Sequence, residues 1–309
     1  MNHIEKQKQL RSLIEQTLTP LINANYVLLD VPYYFNVGDV LIWEGTREWL
    51  KKLPYKCLCT ASKETFDFRE LSSEVVILLS GGGNFGDLYP QHNEFREKVI
   101  SSYPENPIII LPQTIWFEDV HAIPECASAL AKHKKLIICA RDRHSYDILK
   151  SNFQNEILLV PDMAFCINMK RWRKPIVGRG DLLLKREDKE LKGYPQIDDL
   201  IAQGDVTICD WLPFTEDCWQ KTWWRRTKKY VPSLYDWYAR NIFRPYMVNS
   251  GIHLIGTHKK IYSTRLHAAI LSILLGKENN LVWFDNSYGK NSSFYETWLN
   301  DLEGLTFVE

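Results

Sequence analysis

An arginine and a histidine lie together in the segment 260–277, KIYSTRLHAAILSILLGK. Arg265 and His267 follow a short predicted strand and open an apolar run that stops at Gly276, which is the pattern of a buried helix. The first turn of a helix has unpartnered backbone N–H groups and favours a carboxylate or phosphate, which an arginine can bind through two parallel hydrogen bonds. The segment therefore predicts an anion site at a helix N-terminus.

A purely structural role is the alternative for these two residues. Arg265 could pair with a carboxylate elsewhere in the chain, and His267 could be a hydrogen-bonded core histidine. Their position after a strand favours function, because open α/β sheets bind ligands at the carboxyl ends of their strands. Both interpretations stay open on the residues alone.

A second polar cluster follows the predicted strand YVLLD at 26–30. The chain turns through Asn36, Gly38 and Asp39 into a helix, and glycine permits a tight turn there. We expect Asp39 at the helix cap, with its carboxylate near the carboxyl edge of the sheet. Plain capping is the alternative to a chemical role for this aspartate.

The glycine-rich segment 80–87, SGGGNFGD, follows an apolar strand and contains the spacing GxGxxG. A dinucleotide site also needs an acidic residue about 20 positions later, but the next predicted strand, 108–111, ends in Pro-Gln. Asp87 would also put a carboxylate where the pyrophosphate lies. The segment predicts a close backbone approach to a ligand rather than NAD binding.

Two arginines, Arg141 and Arg143, follow another predicted strand at 136–140. Both are well placed to face the same sheet edge. For Arg143 we favour a solvated helix start with an aspartate partner, so Arg141 is the better candidate for a site residue.

Strands alternating with helices over residues 26–165 predict a parallel, doubly wound sheet. The segment 168–180 is basic, polar and rich in turn formers, and predicts a linker. Further strands at 181–185, 206–209, 260–262 and 281–284 predict a second α/β unit. The expected architecture is α/β, with two Rossmann-like domains, 1–167 and 181–309, facing across a cleft.

Composition excludes several classes of protein. The chain has 309 residues, 45% of them hydrophobic, and a net charge of zero, which offers no global attraction for nucleic acid. Its seven cysteines form no CxxC pair and predict reduced core residues. The N-terminus reads as a charged amphipathic helix rather than a signal peptide, and no apolar run is long enough to span a membrane. We expect a cytoplasmic protein.

The stretch Trp219–Tyr246 is unusual, with seven basic residues against one aspartate, interleaved with Trp, Tyr and Phe. This combination suits contact with anionic lipid headgroups, which would bring the protein to the inner face of the membrane. There are two alternatives to membrane contact. The stretch could form a packed pair of aromatic helices with a solvated basic face, or it could form a sugar-binding wall.

Seven segments, in this order, resemble the polysaccharide pyruvyl transferase family over most of the chain. They are NVGDVLIWEG, LLSGGGNFGDLY, ILPQTIWFED, CARDRHSYDIL, VPDMAF, STRLHAAILSILLGK and WFDNSYGKNSSFYETW. Residues from about 186 to 250 show no matching pattern.

The resemblance implies a fold like that of the GT-B glycosyltransferases. It also implies phosphoenolpyruvate as donor and a sugar hydroxyl pair as acceptor, giving a cyclic pyruvate ketal in exopolysaccharide or capsule biosynthesis. The RLH element that contacts the donor in such enzymes is Arg265, Leu266 and His267 here, and the arginine of the ARD element is Arg141.

The chemistry of the residues is compatible with this reaction. The carboxylate and phosphate of the donor need at least two cationic anchors, which Arg265 and Arg141 would supply. Ketal formation needs a proton for the methylene carbon, and histidine titrates near neutrality, so His267 is the expected acid, with Asp39 as partner base. On the acceptor side we expect Asn36, Gly38, Asp39, Gly83 and Asn84.

No cofactor or metal is expected, because the histidines and cysteines lack ligand spacings such as HExxH or CxxC. Two other functions stay open. One is a GT-B glycosyltransferase in which Arg265 holds the diphosphate of a nucleotide sugar. The other is a non-catalytic sugar- or anion-binding protein.

Overall fold

The computed structural model describes residues 1–172, 180–186, 192–211, 227–228 and 230–309. Part of the predicted linker, 173–179, lies outside the described residues, so its boundaries stay a prediction. Residues 219–226 and 229 of the basic aromatic stretch also lie outside them.

The first half of the chain builds a seven-stranded sheet whose neighbouring strands are all parallel. Its strands are β1 (Tyr26–Leu29), β2 (Cys57–Ala61), β3 (Val76–Leu79), β4 (Gly82–Gly86), β5 (Ile108–Trp116), β6 (Leu136–Ala140) and β7 (Glu156–Leu159). The spatial order is β2-β1-β3-β5-β6-β7, and β4 pairs with β5. β1 and β3 are buried along their whole length, as parallel strands covered by helices on both faces are.

Helices connect these strands. They are α1 (His3–Leu18), α2 (Val37–Leu50), α3 (Pro90–Ser102), α4 (Ala122–Ala131) and α5 (Arg143–Asn152), followed by a 3₁₀ turn at Met163–Cys166. The N-cap of α2 is Asn36, whose side-chain oxygen accepts hydrogen bonds from the amides of Gly38 and Asp39 at 2.9 and 3.4 Å. The expectation that Asp39 caps this helix is therefore wrong, and its carboxylate is available for another contact.

The second half builds a five-stranded parallel sheet. Its strands are β8 (Asp181–Leu184), β9 (Val206–Cys209), β10 (Ile261–Ser263), β11 (Leu281–Phe284) and β12 (Thr306–Val308), in the order β12-β11-β10-β8-β9. Its helices are α6 (Pro195–Gln203), α7 (Pro232–Tyr238), α8 (Arg244–Thr257), α9 (Leu266–Leu274) and α10 (Lys290–Trp298). The predicted mixed α/β class with parallel sheets is confirmed.

Three strands were not expected from the sequence. β2 is an edge strand whose first residues are exposed, and β12 has only three residues, so neither shows a buried apolar run. β4 has the sequence GGNFG, which is typical of a loop. A Cβ atom at Gly86, where φ is +127°, would lie 1.6 Å from the carbonyl oxygen of Trp116, so only glycine allows β4 to pair with β5 here.

One hydrophobic cluster joins the helices of both sheets. It includes Leu10 of α1 and Trp43 of α2 together with Ile252 of α8 and Ile270 of α9, all buried. The N-terminal helix is also tied to the second half by an ion pair between Lys6 and Asp301 at 2.5 Å. The continuous core holds the two sheets in a fixed relation, which a site shared between them requires.

Each sheet has one point where the strand order reverses, between β1 and β3 in the first and between β8 and β10 in the second. Ligands of open α/β sheets bind outside the carboxyl ends of the strands at such points. The chain places Asp30 directly after β1 and Arg265 two residues after β10. None of the described helices is long and apolar enough to cross a membrane.

Candidate active site

A cavity of about 430 Å³ lies at the carboxyl ends of strands from both sheets. From the expected donor side it is lined by Arg141, Arg265, Leu266 and His267. From the expected acceptor side it is lined by Asn36, Asp39, Gly83 and Asn84. Eight of the nine site residues expected from the sequence are thus brought to one cavity.

The buried carboxylate of Asp162 links His267 to Arg141. Its Oδ2 atom lies 3.3 Å from Nε2 of His267 and accepts a hydrogen bond from Nη1 of Arg141 at 2.9 Å. The Oδ1 atom accepts from the amide of Ala164 at 2.9 Å. Arg141 also donates from Nε to Oγ1 of Thr114 at 2.7 Å. His267 follows a strand of the second sheet and Arg141 one of the first, so Asp162 connects the two.

The charges around Asp162 keep it ionised. Burial acts to raise the pKa of this carboxyl, but His267, the Arg141 guanidinium and the Ala164 amide together lower it from 3.8 to about 2. The Nε2 edge of His267 therefore faces a fixed negative charge.

Gly38 does not line the cavity but packs against the His267 ring. A Cβ atom at this position would lie 2.7 Å from Nδ1 of His267, closer than any real contact allows. Only glycine therefore leaves room for the Nδ1 edge of the ring, while Nε2 faces Asp162. The assignment of Gly38 to the acceptor side stays a prediction.

Arg265 is the N-cap of α9 rather than a member of its first turn. Its amide donates to Oγ of Ser263 at 3.0 Å, and its guanidinium donates through Nε and Nη2 to both oxygens of Asp210. The alternative that Arg265 pairs with a carboxylate is therefore observed. Because the arginine also lines the cavity, the carboxylate holds it at the edge where an anion would bind.

The segment between β11 and α10 adds a further cation to this wall. Lys290 begins α10 and lines the cavity, and its amide donates a hydrogen bond to Oδ1 of Asn286 at 2.9 Å. Asn291 donates to the carbonyl oxygens of Thr264 and Phe284 at 3.0 and 2.9 Å and so fixes the ends of β10 and β11. Arg186 also lines this wall, so three basic side chains, Arg186, Arg265 and Lys290, reach the cavity from the second sheet.

The first-sheet wall is more mixed in charge. Asp39 accepts a hydrogen bond from the Tyr34 hydroxyl at 2.9 Å. Asn84 directs its side-chain oxygen to the guanidinium of Arg96. Gly83 lies close to Arg141, since a Cβ atom there would be 3.1 Å from Nη2. Gly83 therefore packs closely against Arg141, and the close approach of this segment to a ligand stays a prediction.

Arg143, two residues after Arg141, is exposed and does not line this cavity. Its amide donates to Oγ1 of Thr297 at 2.9 Å, at the contact between α5 and α10. The preference for Arg141 over Arg143 therefore agrees with their positions.

Sequence reasoning did not single out Asp162, Asp210, Arg186 or Lys290. The available signal was position, because Asp210 follows β9 directly and Asp162 comes three residues after β7. Lys290 lies in the motif FDNSYGKN but had been assigned no role. In the described parts of the chain, no three His, Cys, Asp or Glu side chains are grouped so that they could hold a metal ion.

We predict that Asp162 makes folding stability depend on acid pH. Because its pKa is lowered from 3.8 to about 2, its contribution is complete above pH 4 and is lost as pH falls towards 2. The shift corresponds to about 2 kcal/mol. The fall in unfolding free energy between pH 5 and pH 2.5, measured by urea denaturation, should be smaller by this amount in Asp162→Asn. The control Asp147→Asn, at an exposed position, should show the same fall in unfolding free energy as the wild type. If Asp162→Asn also showed the wild-type fall, the assignment to Asp162 would be contradicted.

Comparison with known proteins agrees with the geometry. The family model described as polysaccharide pyruvyl transferase matches residues 36–286. EpsO of Bacillus subtilis strain 168, named as a pyruvyl transferase, is 29% identical over 317 residues, covering 96% of this chain and 94% of that protein. Pyruvyl transferase 1 of Schizosaccharomyces pombe is 28% identical over 303 residues, covering 91% of this chain and 72% of that protein.

The fold is shared with a solved structure. The crystal structure of an uncharacterized protein from Klebsiella pneumoniae has a TM-score of 0.65 and 21% identity, and the match covers 97% of this chain and 98% of that one. The family match includes the cavity residues from Asn36 to Asn286. The chain therefore belongs to the polysaccharide pyruvyl transferase family, as its motifs indicated.

Proposed function

We propose that this protein transfers pyruvate from phosphoenolpyruvate to a pair of sugar hydroxyls and forms a cyclic ketal. The observation that carries the proposal is the Asp162 carboxylate, which holds His267 and Arg141 together at a cavity also lined by Arg265. Phosphoenolpyruvate has two anionic groups, a carboxylate and a phosphate, and its methylene carbon must gain a proton. An acid beside several cations meets both needs. Membership of the pyruvyl transferase family supports the same class of reaction.

The donor occupies the second-sheet wall in this proposal. Arg265 and the N-terminus of α9 bind one anionic group of phosphoenolpyruvate, and Arg141 binds the other from across the cavity. Arg186 and Lys290 add charge for the phosphate. The acceptor lies against the first-sheet wall, so residues 1–167 and 181–309 act as acceptor and donor domains in a GT-B-like arrangement.

His267 supplies the proton for the methylene carbon. Since Nε2 faces Asp162, we assign delivery of the proton to Nδ1. Protonation of C3 makes C2 electrophilic, and one sugar hydroxyl attacks it while its proton passes to a base such as Asp39. The C2–O bond to phosphate then breaks, and attack by the second hydroxyl closes the ketal.

The proposal needs no metal ion or cofactor. The arginines and Lys290 carry the positive charge that a divalent cation supplies to phosphate groups in other transferases. Phosphoenolpyruvate is a co-substrate. Its pyruvyl group becomes part of the ketal, and its phosphate is released.

We further propose that the acceptor is presented at a membrane surface, on a lipid carrier for exopolysaccharide or capsule. The support is a set of large exposed side chains in the described part of the stretch Trp219–Tyr246: Tyr230 is 71% exposed, Trp237 51% and Tyr246 50%. Lys228 and Arg240 lie in the same segment. Aromatic and basic side chains together favour the interface of an anionic bilayer.

Release of phosphate tests the reaction directly. Phosphoenolpyruvate incubated with galactose-, glucose- and mannose-containing acceptors should yield inorganic phosphate and a product heavier by one pyruvate ketal. The rate should be unchanged by EDTA. Turnover of a nucleotide sugar without consumption of phosphoenolpyruvate, or a rate abolished by EDTA and restored by Mg²⁺ or Mn²⁺, would contradict the proposal.

Arg265 and His267 should differ in their kinetic effects. Arg265→Lys keeps the charge but loses the paired geometry, and should weaken phosphoenolpyruvate binding. His267→Gln keeps hydrogen bonding but cannot titrate, and should lower kcat by about 10²–10⁴-fold with the donor Kd little changed. A folded His267→Gln enzyme with most of its kcat would show that His267 is structural and would move the acid to Asp39.

Membrane contact has its own test. Tyr230→Ser combined with Trp237→Ser should lower binding to vesicles rich in phosphatidylglycerol and raise KM for a lipid-linked acceptor, because apolar contact area is lost. The kcat on a soluble acceptor should stay within about twofold of wild type. Val120→Ser, which removes an equally exposed apolar group elsewhere (64% exposed), is the control. Equal losses on soluble and lipid-linked acceptors would count against the contact.

A further inference from the structure

A second histidine reaches the same cavity from the first sheet, with a buried carboxylate beside its ring, and neither has a part in the mechanism above. His92, in the first turn of α3, lines the cavity and is only 5% exposed. Its Nδ1 atom lies 2.8 and 3.1 Å from the two carboxylate oxygens of Asp30. The imidazole is therefore fixed in orientation while one edge stays at the cavity.

The carboxylate of this pair is rigidly held. Asp30 follows β1 at the reversal point of the first sheet, and among the described residues it is the one non-glycine residue with positive φ, 60°. Arg96, itself buried, lies 3.4 Å from Oδ2 and also donates to the carbonyl oxygen of Asn84 at 3.0 Å. Backbone strain of this kind persists only where surrounding contacts enforce it, and it concentrates at functional sites.

Lys63 determines which nitrogen of His92 carries the hydrogen. Its ammonium lies 3.0 Å from Nε2, and an ammonium group can only donate, so Nε2 accepts through its lone pair. Nδ1 then carries the hydrogen and donates it to Asp30. Lys63 also lines the cavity, so Nε2 and its donor meet at the cavity wall. This is the tautomer and orientation of a general base.

A contrasting histidine shows what a structural role looks like in this protein. His133 is also buried, but both of its ring nitrogens face the backbone. Nε2 lies 3.0 Å from the carbonyl oxygen of Tyr103, and Nδ1 accepts from the amide of Lys135 at 3.3 Å. His133 does not line the cavity.

We propose that His92 is a second catalytic residue, the base that removes the proton from one of the two acceptor hydroxyls, and that Asp30 and Lys63 position it. The proposal rests on the proposed function. An acceptor hydroxyl replaces the Lys63 ammonium as the donor to Nε2. Its O–H bond breaks as the bond from oxygen to C2 forms, and the Asp30 carboxylate stabilises the imidazolium that results.

The proton balance of ketal formation calls for such a base. Phosphoenolpyruvate and a diol give a ketal and hydrogen phosphate, so two hydroxyl protons are released and one is gained at C3. The released protons end on the methyl group, through His267, and on the departing phosphate. The two hydroxyls react at different stages, and their oxygen atoms lie at different positions, so two bases are favoured. Asp39 removes the proton from one hydroxyl, and His92 removes it from the other.

Substitution with chemical rescue tests the assignment. His92→Ala and His92→Gln should each lower kcat for ketal formation by about 10²–10⁴-fold, with the Kd for phosphoenolpyruvate within about twofold of wild type. Added imidazole should restore part of the kcat of His92→Ala, because it can occupy the vacated space, and should not restore His92→Gln. The matched control is His133→Gln, which should keep wild-type kcat.

The outcomes separate cleanly. A folded His92→Gln enzyme with wild-type kcat would overturn the proposal, and this variant decides the matter if His92→Ala fails to fold. If His92→Ala lost kcat, was not rescued by imidazole and had a raised acceptor KM, His92 would be a binding residue, and the proposal would also be overturned. A wild-type protein that forms no ketal would remove the proposed function itself, whereas active wild type with unaffected His92 variants would remove only this inference.

Discussion

The structure depends most on one buried carboxylate. Asp162 is almost fully enclosed and ionised, and it is paired with a histidine of the second sheet and an arginine of the first. A buried charge costs several kcal/mol unless partners compensate it, and removing one partner leaves the others uncompensated. Arg141 and His267 therefore act as one unit, because each helps to keep the common carboxylate charged and in place.

The parallel topology explains why the polar groups meet at one cavity. Each sheet directs the carboxyl ends of its strands and the N-termini of the following helices to the same side. The two reversal points supply different chemistry. The second sheet contributes Arg265 and Lys290, which suit an anionic donor, and the first contributes Asp39 and the Asp30–His92 pair, which suit the deprotonation of an acceptor. Division of acid and base between two walls fits a reaction in which protons move in both directions.

Much of this arrangement was predictable from local pattern. The apolar run after RLH predicted a buried helix, and α9 is buried at every residue. Of Arg141 and Arg143, Arg141 lines the cavity and Arg143 does not, while donor binding by Arg141 stays a prediction. Prediction failed where local signals were weak: the exposed edge strand β2, the short strand β12 and the glycine-rich β4 pair only because neighbouring strands complete their hydrogen bonds.

The sequence by itself determined the α/β class, the position of the buried helix that follows Arg265 and the family, since helix starts, apolar strands and motif order are all local properties. Only the tertiary structure decided which side chains pair with one another in the cavity. Asp162 and His267 are 105 residues apart, and Asp30 and His92 are 62 apart. Nothing in the chemistry of a single aspartate indicates which distant histidine it meets. That choice follows from strand order and from the core that packs the helices of both sheets together, and these are set by contacts across the whole chain.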